Sequence, residues 1–160
     1  MDLRPTPNRL RESIFNVLQF SIKDAICLDA FSGTGALGLE AASRGAKEVI
    51  FLENDLRIYR QLLQTIQSIN HPQLHAIQTD CLQYLQTTSK TFDIIFLDPP
   101  FRQNFWEQCV QIIVDRGLLN SEGILYIESP HLIEVSEQIW SKIKCGKIGD
   151  VYFGIYKQTC

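Results

Sequence analysis

Several features are missing from this sequence, and each absence removes a class of protein. No apolar run reaches the roughly eighteen residues of a membrane span, so none is expected. The N-terminus is polar and proline-bearing, without the apolar stretch of a secretory leader, which points to the cytoplasm. The five cysteines (Cys27, Cys81, Cys109, Cys145, Cys160) are scattered and odd in number. None forms a C-x-x-C pair, so no zinc or other metal site and no thioredoxin chemistry is expected, and the usage suits a reducing compartment. Positive charge is not in excess. The formal net charge of −3 argues against gripping bare nucleic acid by charge alone, although local patches matter more than totals. There is no repeat, low-complexity tract or interdomain linker.

What is present suits a single domain over residues 1–160. Of the 160 residues, 45% are hydrophobic, and a chain of this size hides roughly 70% of its unfolded surface on folding. Thr6-Pro7 reads as a helix cap followed by proline in the first turn. Leu10, Ile14, Val17 and Leu18 then recur at helical spacing to about Phe20. Strands are predicted at Ala25 to Ala30, Val49 to Glu53, Leu74 to Gln78, Phe92 to Leu97 and Ile124 to Glu128. Two more are predicted near Cys145 to Ile148 and Val151 to Lys157, with Gly149-Asp150 as the turn between them. Helices are predicted at Ala36 to Arg44, closed by Gly45, and at Asp55 to Ile69 with Leu56, Tyr59, Leu62, Leu63 and Ile66 as its apolar face. Further helices are predicted at Cys81 to Leu85, Phe105 to Val114, and Leu132 to Ile143 with Ile133, Ile139 and Trp140. This alternation predicts an α/β domain: a mostly parallel sheet, helices on both faces, and an antiparallel pair at the end.

Two strand ends carry the chemistry. The first is Asp29-Ala30-Phe31-Ser32-Gly33-Thr34-Gly35-Ala36-Leu37-Gly38, a G-x-G-x-x-G run after a strand and opening a helix. Glycine lets the backbone approach a ligand and take positive φ. The motif fits a dinucleotide or S-adenosylmethionine, and as pure structure it serves helix–strand packing. Asp29 discriminates, because a carboxylate disfavours a pyrophosphate and attracts the cationic methionine end of S-adenosylmethionine. Glu53 ends the second strand 20 residues after Gly33 and can accept hydrogen bonds from ribose hydroxyls. Asp80 follows the third strand, where it can take an adenine amine, cap the next helix, or do both. Phe31, Asn54 and Cys81 complete the expected cofactor set.

The second strand end is Asp98-Pro99-Pro100-Phe101. An exocyclic amine on a base is a poor nucleophile because its lone pair is delocalised. The Asp98 carboxylate and the Pro99 carbonyl can each accept one of its N–H groups, turning the nitrogen toward sp³. The prolines fix φ and donate nothing, and Phe101 can stack on the base. The alternative is a rigid strand exit with Phe101 in the core. Together the two strand ends point to methyl transfer from S-adenosylmethionine to an amino nitrogen, with no metal required. His71, His75 and His131 do not cluster with Asp98 in sequence, and Trp106 and Trp140 read as packing residues. Phe105 or Trp106 can border the base site.

On these residues the chain resembles the RsmD family of class I S-adenosylmethionine-dependent methyltransferases, bacterial enzymes that methylate N2 of one guanine in 16S ribosomal RNA. The matching segments are Leu3-Arg4-Pro5-Thr6, Arg11-Glu12-Ser13-Ile14-Phe15-Asn16-Val17-Leu18, the glycine loop from Leu28 to Ala41, Glu53, and Phe92 to Phe101. The resemblance implies a Rossmann-like, seven-stranded, mostly parallel sheet with an antiparallel last strand, and a target base entering near Asp98. It places residues 1–20 on the substrate side, where Arg4, Thr6, Arg9 and Arg11, joined by Arg102, would meet RNA. The implied partner is 16S ribosomal RNA in an assembling small subunit, and a monomer is expected. Family members usually carry a basic β-hairpin ahead of the Arg-Pro-Thr segment. None precedes Leu3 here, which bears on RNA affinity rather than on cofactor binding. Three other readings fit parts of the pattern: a DNA adenine-N6 methyltransferase, a nicotinamide-dependent oxidoreductase, and a non-catalytic module that keeps the cofactor pocket.

Overall fold

Hydrophobic period sets the elements, and the computed structural model describes them over residues 8–100 and 105–159. They run α1 (Asn8–Leu18), β1 (Ile26–Asp29), α2 (Ala36–Ser43), β2 (Glu48–Glu53), α3 (Leu56–Gln67), β3 (Leu74–Gln78), α4 (Cys81–Thr87) and β4 (Phe92–Leu97). There follow α5 (Phe105–Arg116), β5 (Leu119–Ser129), β6 (Trp140–Ile148) and β7 (Val151–Gln158). The strands form one seven-stranded sheet of order β3-β2-β1-β4-β5-β7-β6. The pairs from β3 to β5 are parallel. β7 inserts antiparallel between β5 and β6. This is the expected Rossmann-like α/β sheet. Strand order reverses between neighbouring β1 and β4, and in open α/β sheets the crevice at such a reversal is where ligands bind.

Each face of the sheet has its own core. On one, Leu10, Ile14, Phe15 and Leu18 of α1, Leu37 and Ala41 of α2, and Leu62 and Ile66 of α3 cover Cys27, Phe51, Phe96 and Tyr126. On the other, Leu85 of α4 and Trp106, Cys109 and Ile113 of α5 cover Leu28, Leu52, Ile95 and Ile127. Cys27 is fully buried, and burial drives its thiol well above the ordinary range.

Three expectations are corrected. Residues 132–139 form no helix, and Trp140 opens β6, so that strand begins before Cys145. Leu132, Ile133, Ile139 and Trp140 match a helical spacing. Ile133 and Val135 instead pack at period two against the α4/α5 core, leaving Leu132 66% exposed. On α3 the buried stripe is Ile58, Leu62 and Ile66, while Leu56 is exposed. β5 starts at Leu119 rather than Ile124 because a bulge, with Glu122 at φ 62°, lets the strand resume after a register shift. The expected Thr6-Pro7 cap lies outside the described residues.

Candidate active site

The loop leaving β1 is shaped by two left-handed glycines, Gly33 at φ 54° and Gly35 at φ 85°, where a side chain would be strained. A Cβ on Gly35 would also sit 2.6 Å from Leu62 Cδ1. Gly35 caps α2 without a side chain to accept its first N–H groups. Asp29 supplies one from β1: its Oδ2 accepts from the Gly38 N–H at 3.0 Å. The Ser32 hydroxyl donates to the Asp29 carbonyl at 2.9 Å. Asp29 is 2% exposed, and its carboxyl is pushed up to about 7, chiefly by burial. The Gly38 N–H pulls the other way, and the Glu53 and Glu128 charges add to the rise.

Glu53 ties this loop to the turn after β2. One carboxylate oxygen accepts from the Gly33 N–H and the other from the Asp55 N–H, both at 2.9 Å. Asp80 caps α4 by accepting from the Gln83 N–H at 3.1 Å, so its capping role is real. Next to it, the Cys81 thiol is buried against Cys109, whose hydrogen bond together with burial keeps it protonated.

These strand ends surround a recess of about 130 Å³. Glu53, Asn54 and Asp80 give it a polar rim, and Phe31, Leu52, Cys81, Pro100 and Phe105 an apolar wall. The rings of Phe31 and Phe105 meet edge to face with centroids 5.5 Å apart, so Phe105 lines this recess, while Trp106 is buried in the core. No lysine or arginine lines the recess among the described residues. Six of the eight expected cofactor residues therefore converge: Phe31, Glu53, Asn54, Asp80 and Cys81 line it, and Gly33 is held by Glu53. Asp29 and Gly35 act one layer behind, shaping the loop.

Asp98 and Pro99 follow β4 directly and are half-buried, with Pro100 exposed at the recess. The Ala30 N–H donates to the Phe96 carbonyl at 3.1 Å, holding the two strand exits side by side. Phe101 and Arg102 lie outside the described residues, as do Arg4 and Thr6. Arg9 is exposed on α1, beside a groove of about 480 Å³ that it shares with Ser13, Asn16 and Lys144. Arg11 donates to Asn8 Oδ1 at 2.7 Å and lies 3.8 Å from Glu40, so it also fastens α1 to α2.

Glu128 and Tyr126, absent from the sequence-based set, belong to this edge. Glu128 is 5% exposed near the end of β5, and the Tyr126 hydroxyl donates to it at 2.6 Å. Burial, Glu128 and Asp98 together drive the Tyr126 hydroxyl well above its ordinary range. The signal was available: Glu128 ends an apolar strand in a carboxylate, as Asp29 and Glu53 do. Among the described residues no three His, Cys, Asp or Glu side chains group as metal ligands, and no helix is long and apolar enough to cross a membrane.

Residues 1–157 match the family model described as Conserved hypothetical protein 95. The chain is 38% identical over 127 residues to Ribosomal RNA small subunit methyltransferase D of Escherichia coli K12, covering 79% of this chain and 64% of that protein. The match thus spans a little under two thirds of that relative. Against the protein of the same name from Haemophilus influenzae Rd it is 34% identical over 160 residues, covering 97% and 83%. A solved structure of a putative methyltransferase from Escherichia coli superposes with a TM-score of 0.91 at 35% identity, covering 98% of this chain and 88% of that one.

Proposed function

Since the chain belongs to the Conserved hypothetical protein 95 family, we propose that it transfers a methyl group from S-adenosylmethionine to the N2 amine of a guanine in 16S ribosomal RNA, acting in the cytoplasm as a monomer on the small subunit or its assembly intermediate. One observation carries the reading: Pro100 of the Asp-Pro-Pro exit lines the same recess as Glu53 and Asp80, where strand order reverses. An amine-orienting exit and a recess for a nucleoside share a wall. The names of two relatives, each a Ribosomal RNA small subunit methyltransferase D, support a ribosomal RNA substrate.

The recess suits this cofactor by its donor set. Among the described residues its rim offers carboxylates to hydroxyl and amino donors and no cation to a pyrophosphate, which favours it over a nicotinamide site. When bound, the cofactor supplies a methyl group on a positively charged sulfur. In this proposal Glu53 accepts from the ribose hydroxyls while its other lone pairs hold the loop, and Asp80 accepts from the adenine amine. Phe31 and Cys81 border the ring, Asn54 closes the rim, and the loop backbone at Gly33 and Gly35 passes close to the methionine portion. Asp29 lends a negative field to the cationic end.

Asp98 and the Pro99 carbonyl accept the two N–H groups of the target amine and turn its lone pair toward the methyl carbon. Once the amine carries the methyl group, Asp98 would accept the one proton that the nitrogen sheds and pass it to water. Alignment of this kind lowers barriers by several kcal/mol. Phe101 stacks on the base, Pro100 stiffens the exit, and Arg4, Thr6, Arg9, Arg11 and Arg102 meet the RNA.

The test is transfer of labelled methyl to small subunits lacking the mark, with bare 16S RNA and DNA in parallel. Label on N2 of one guanine is expected, with Asp98→Ala retaining cofactor affinity and losing at least about 10²-fold in kcat. Label on DNA alone, or full activity in Asp98→Ala, would refute the assignment.

A further inference from the structure

The sheet ends on β6, and that edge is basic. Lys142, Lys144 and Lys147 are exposed along a strand of nine residues that holds no carboxylate. Elsewhere Lys90 and Lys157 each pair with a glutamate. Among the described residues no carboxylate lies within ion-pair distance of the three β6 lysines or of Arg9. This edge therefore carries a local positive field that the net charge of −3 conceals.

Register places the edge relative to the reaction. β7 pairs Tyr152 with Ser129, the last residue of β5, and Lys147 pairs with Tyr152 in turn. The turn between β6 and β7 thus stands at the end of the sheet where the Asp-Pro-Pro exit lies. A little below it, Phe96 of β4, Tyr126, Ile155 and Lys144 form one row across four strands. Three strand spacings put Lys144 roughly 14 Å from β4, a distance that a few nucleotides span.

Ile155 belongs to the core under α1, and its register partner Lys144 projects to that same side. There Arg9, Ser13 and Asn16, on one face of α1, line the groove of about 480 Å³ together with Lys144. The Lys144 ammonium donates to Ser13 Oγ at 3.0 Å, which leaves it N–H groups for an outside acceptor. At the tip, Lys147 Nζ sits 5.1 Å from the centre of the Tyr152 ring, which steadies its charge. The carboxylates nearby in the groove and the turn are Glu12 and Asp150, both exposed. Lysines on an edge strand also deter sheet-to-sheet pairing, but that duty needs no arginine across a groove and no ammonium fixed by a helix.

We infer that Arg9, Lys144 and Lys147 grip the phosphate backbone of the RNA to one side of the target nucleotide. The inference rests on RNA as the substrate and adds β6 to the surface that docks it.

The test is equilibrium binding to unmarked small subunits and to bare 16S RNA between about 50 and 200 mM salt. Lys144→Gln combined with Lys147→Gln should lower the slope of log K against log salt by roughly 1.4–1.8, and weaken binding roughly 10- to 100-fold near 0.1 M. Lys23→Gln combined with Lys47→Gln removes the same charge at the opposite end of the sheet and should leave the slope unchanged. In methyl transfer the β6 pair should raise KM more than it lowers kcat, with S-adenosylmethionine affinity and Tm kept. A wild-type slope in the β6 pair, or an equal fall in the Lys23 and Lys47 pair, would overturn the surface. Self-association of the β6 pair with RNA binding intact would do the same and leave the lysines as an edge guard. The expected slopes without any methylation of RNA by the wild-type protein would uphold the surface and remove the proposed reaction.

Discussion

Gly38 is where the glycine loop, the helix after it and the sheet press most closely together. A Cβ there would overlap the edge of the Phe51 ring at Cε2, with Cζ at 2.8 Å and Cδ2 at 3.0 Å. Phe51 is fully buried and cannot swing aside. Gly38→Ala should gain about 0.8–1 kcal/mol of helix propensity and lose about 2–3 kcal/mol to overpacking, the upper part of the usual range because the ring has no room to move. The clash wins, with a net destabilisation of about 1–2 kcal/mol. For 160 residues, the unfolding entropy is roughly 0.34 kcal/mol per kelvin, so Tm should drop by about 3–6 °C. Thermal and denaturant unfolding followed by circular dichroism would measure it. Phe51→Leu supplies the room the methyl needs. In the double variant the alanine should therefore cost about 1 kcal/mol less than it does alone. Cofactor affinity should fall with Gly38→Ala, because the Gly38 N–H that Asp29 holds moves with the helix. A Tm equal to or above wild type, or strictly additive variants, would refute the close-packing argument.

Two further outcomes are expected. The Asp29 carboxyl sits at about 7 in the folded protein against an ordinary 3.8, so its contribution to stability is complete below about pH 4 and is lost as pH rises through 7. Denaturant unfolding between pH 5 and 7 should show this decline, at most about 1.4 kcal/mol per pH unit. Asp29→Asn should flatten it, and an unchanged slope would mean that Asp29 ionises normally. Glu53→Ala strips the acceptors from the Gly33 and Asp55 N–H groups, at roughly 1–3 kcal/mol for each donor left unsatisfied. Titration calorimetry with S-adenosylmethionine should find affinity down at least about tenfold, and wild-type affinity would remove Glu53 from the cofactor site.

Much of the fold was legible because period and punctuation agreed. Leu74–Gln78 and Phe92–Leu97 have the bounds expected from their apolar runs, since each is short, strand-forming and closed by residues that cannot continue it. Agreement failed over residues 132–139, where one set of apolar residues satisfies two periods. A lone segment cannot choose between them. The choice fell to the α4/α5 core, against which Ile133 and Val135 pack in a segment that is neither helix nor strand. On α3, Leu56 lies about 200° around the helix from Ile58, so burying the Ile58, Leu62 and Ile66 stripe leaves Leu56 outside it.

The sequence by itself determined the kinds of group at this site: glycines where a loop needs left-handed backbone, carboxylates at strand ends, and prolines that hold an acceptor still. These follow from side-chain chemistry and local sterics, which act over a few residues. Only the tertiary structure decided which groups meet. Asp29 braces Gly38 from within the core, Asp80 shares a recess with Pro100, and Ile127 comes to lie beside Leu97 through the β4–β5 register. Those partnerships join residues nine, twenty and thirty positions apart, and distance along the chain says nothing of them until the sheet sets its strand order.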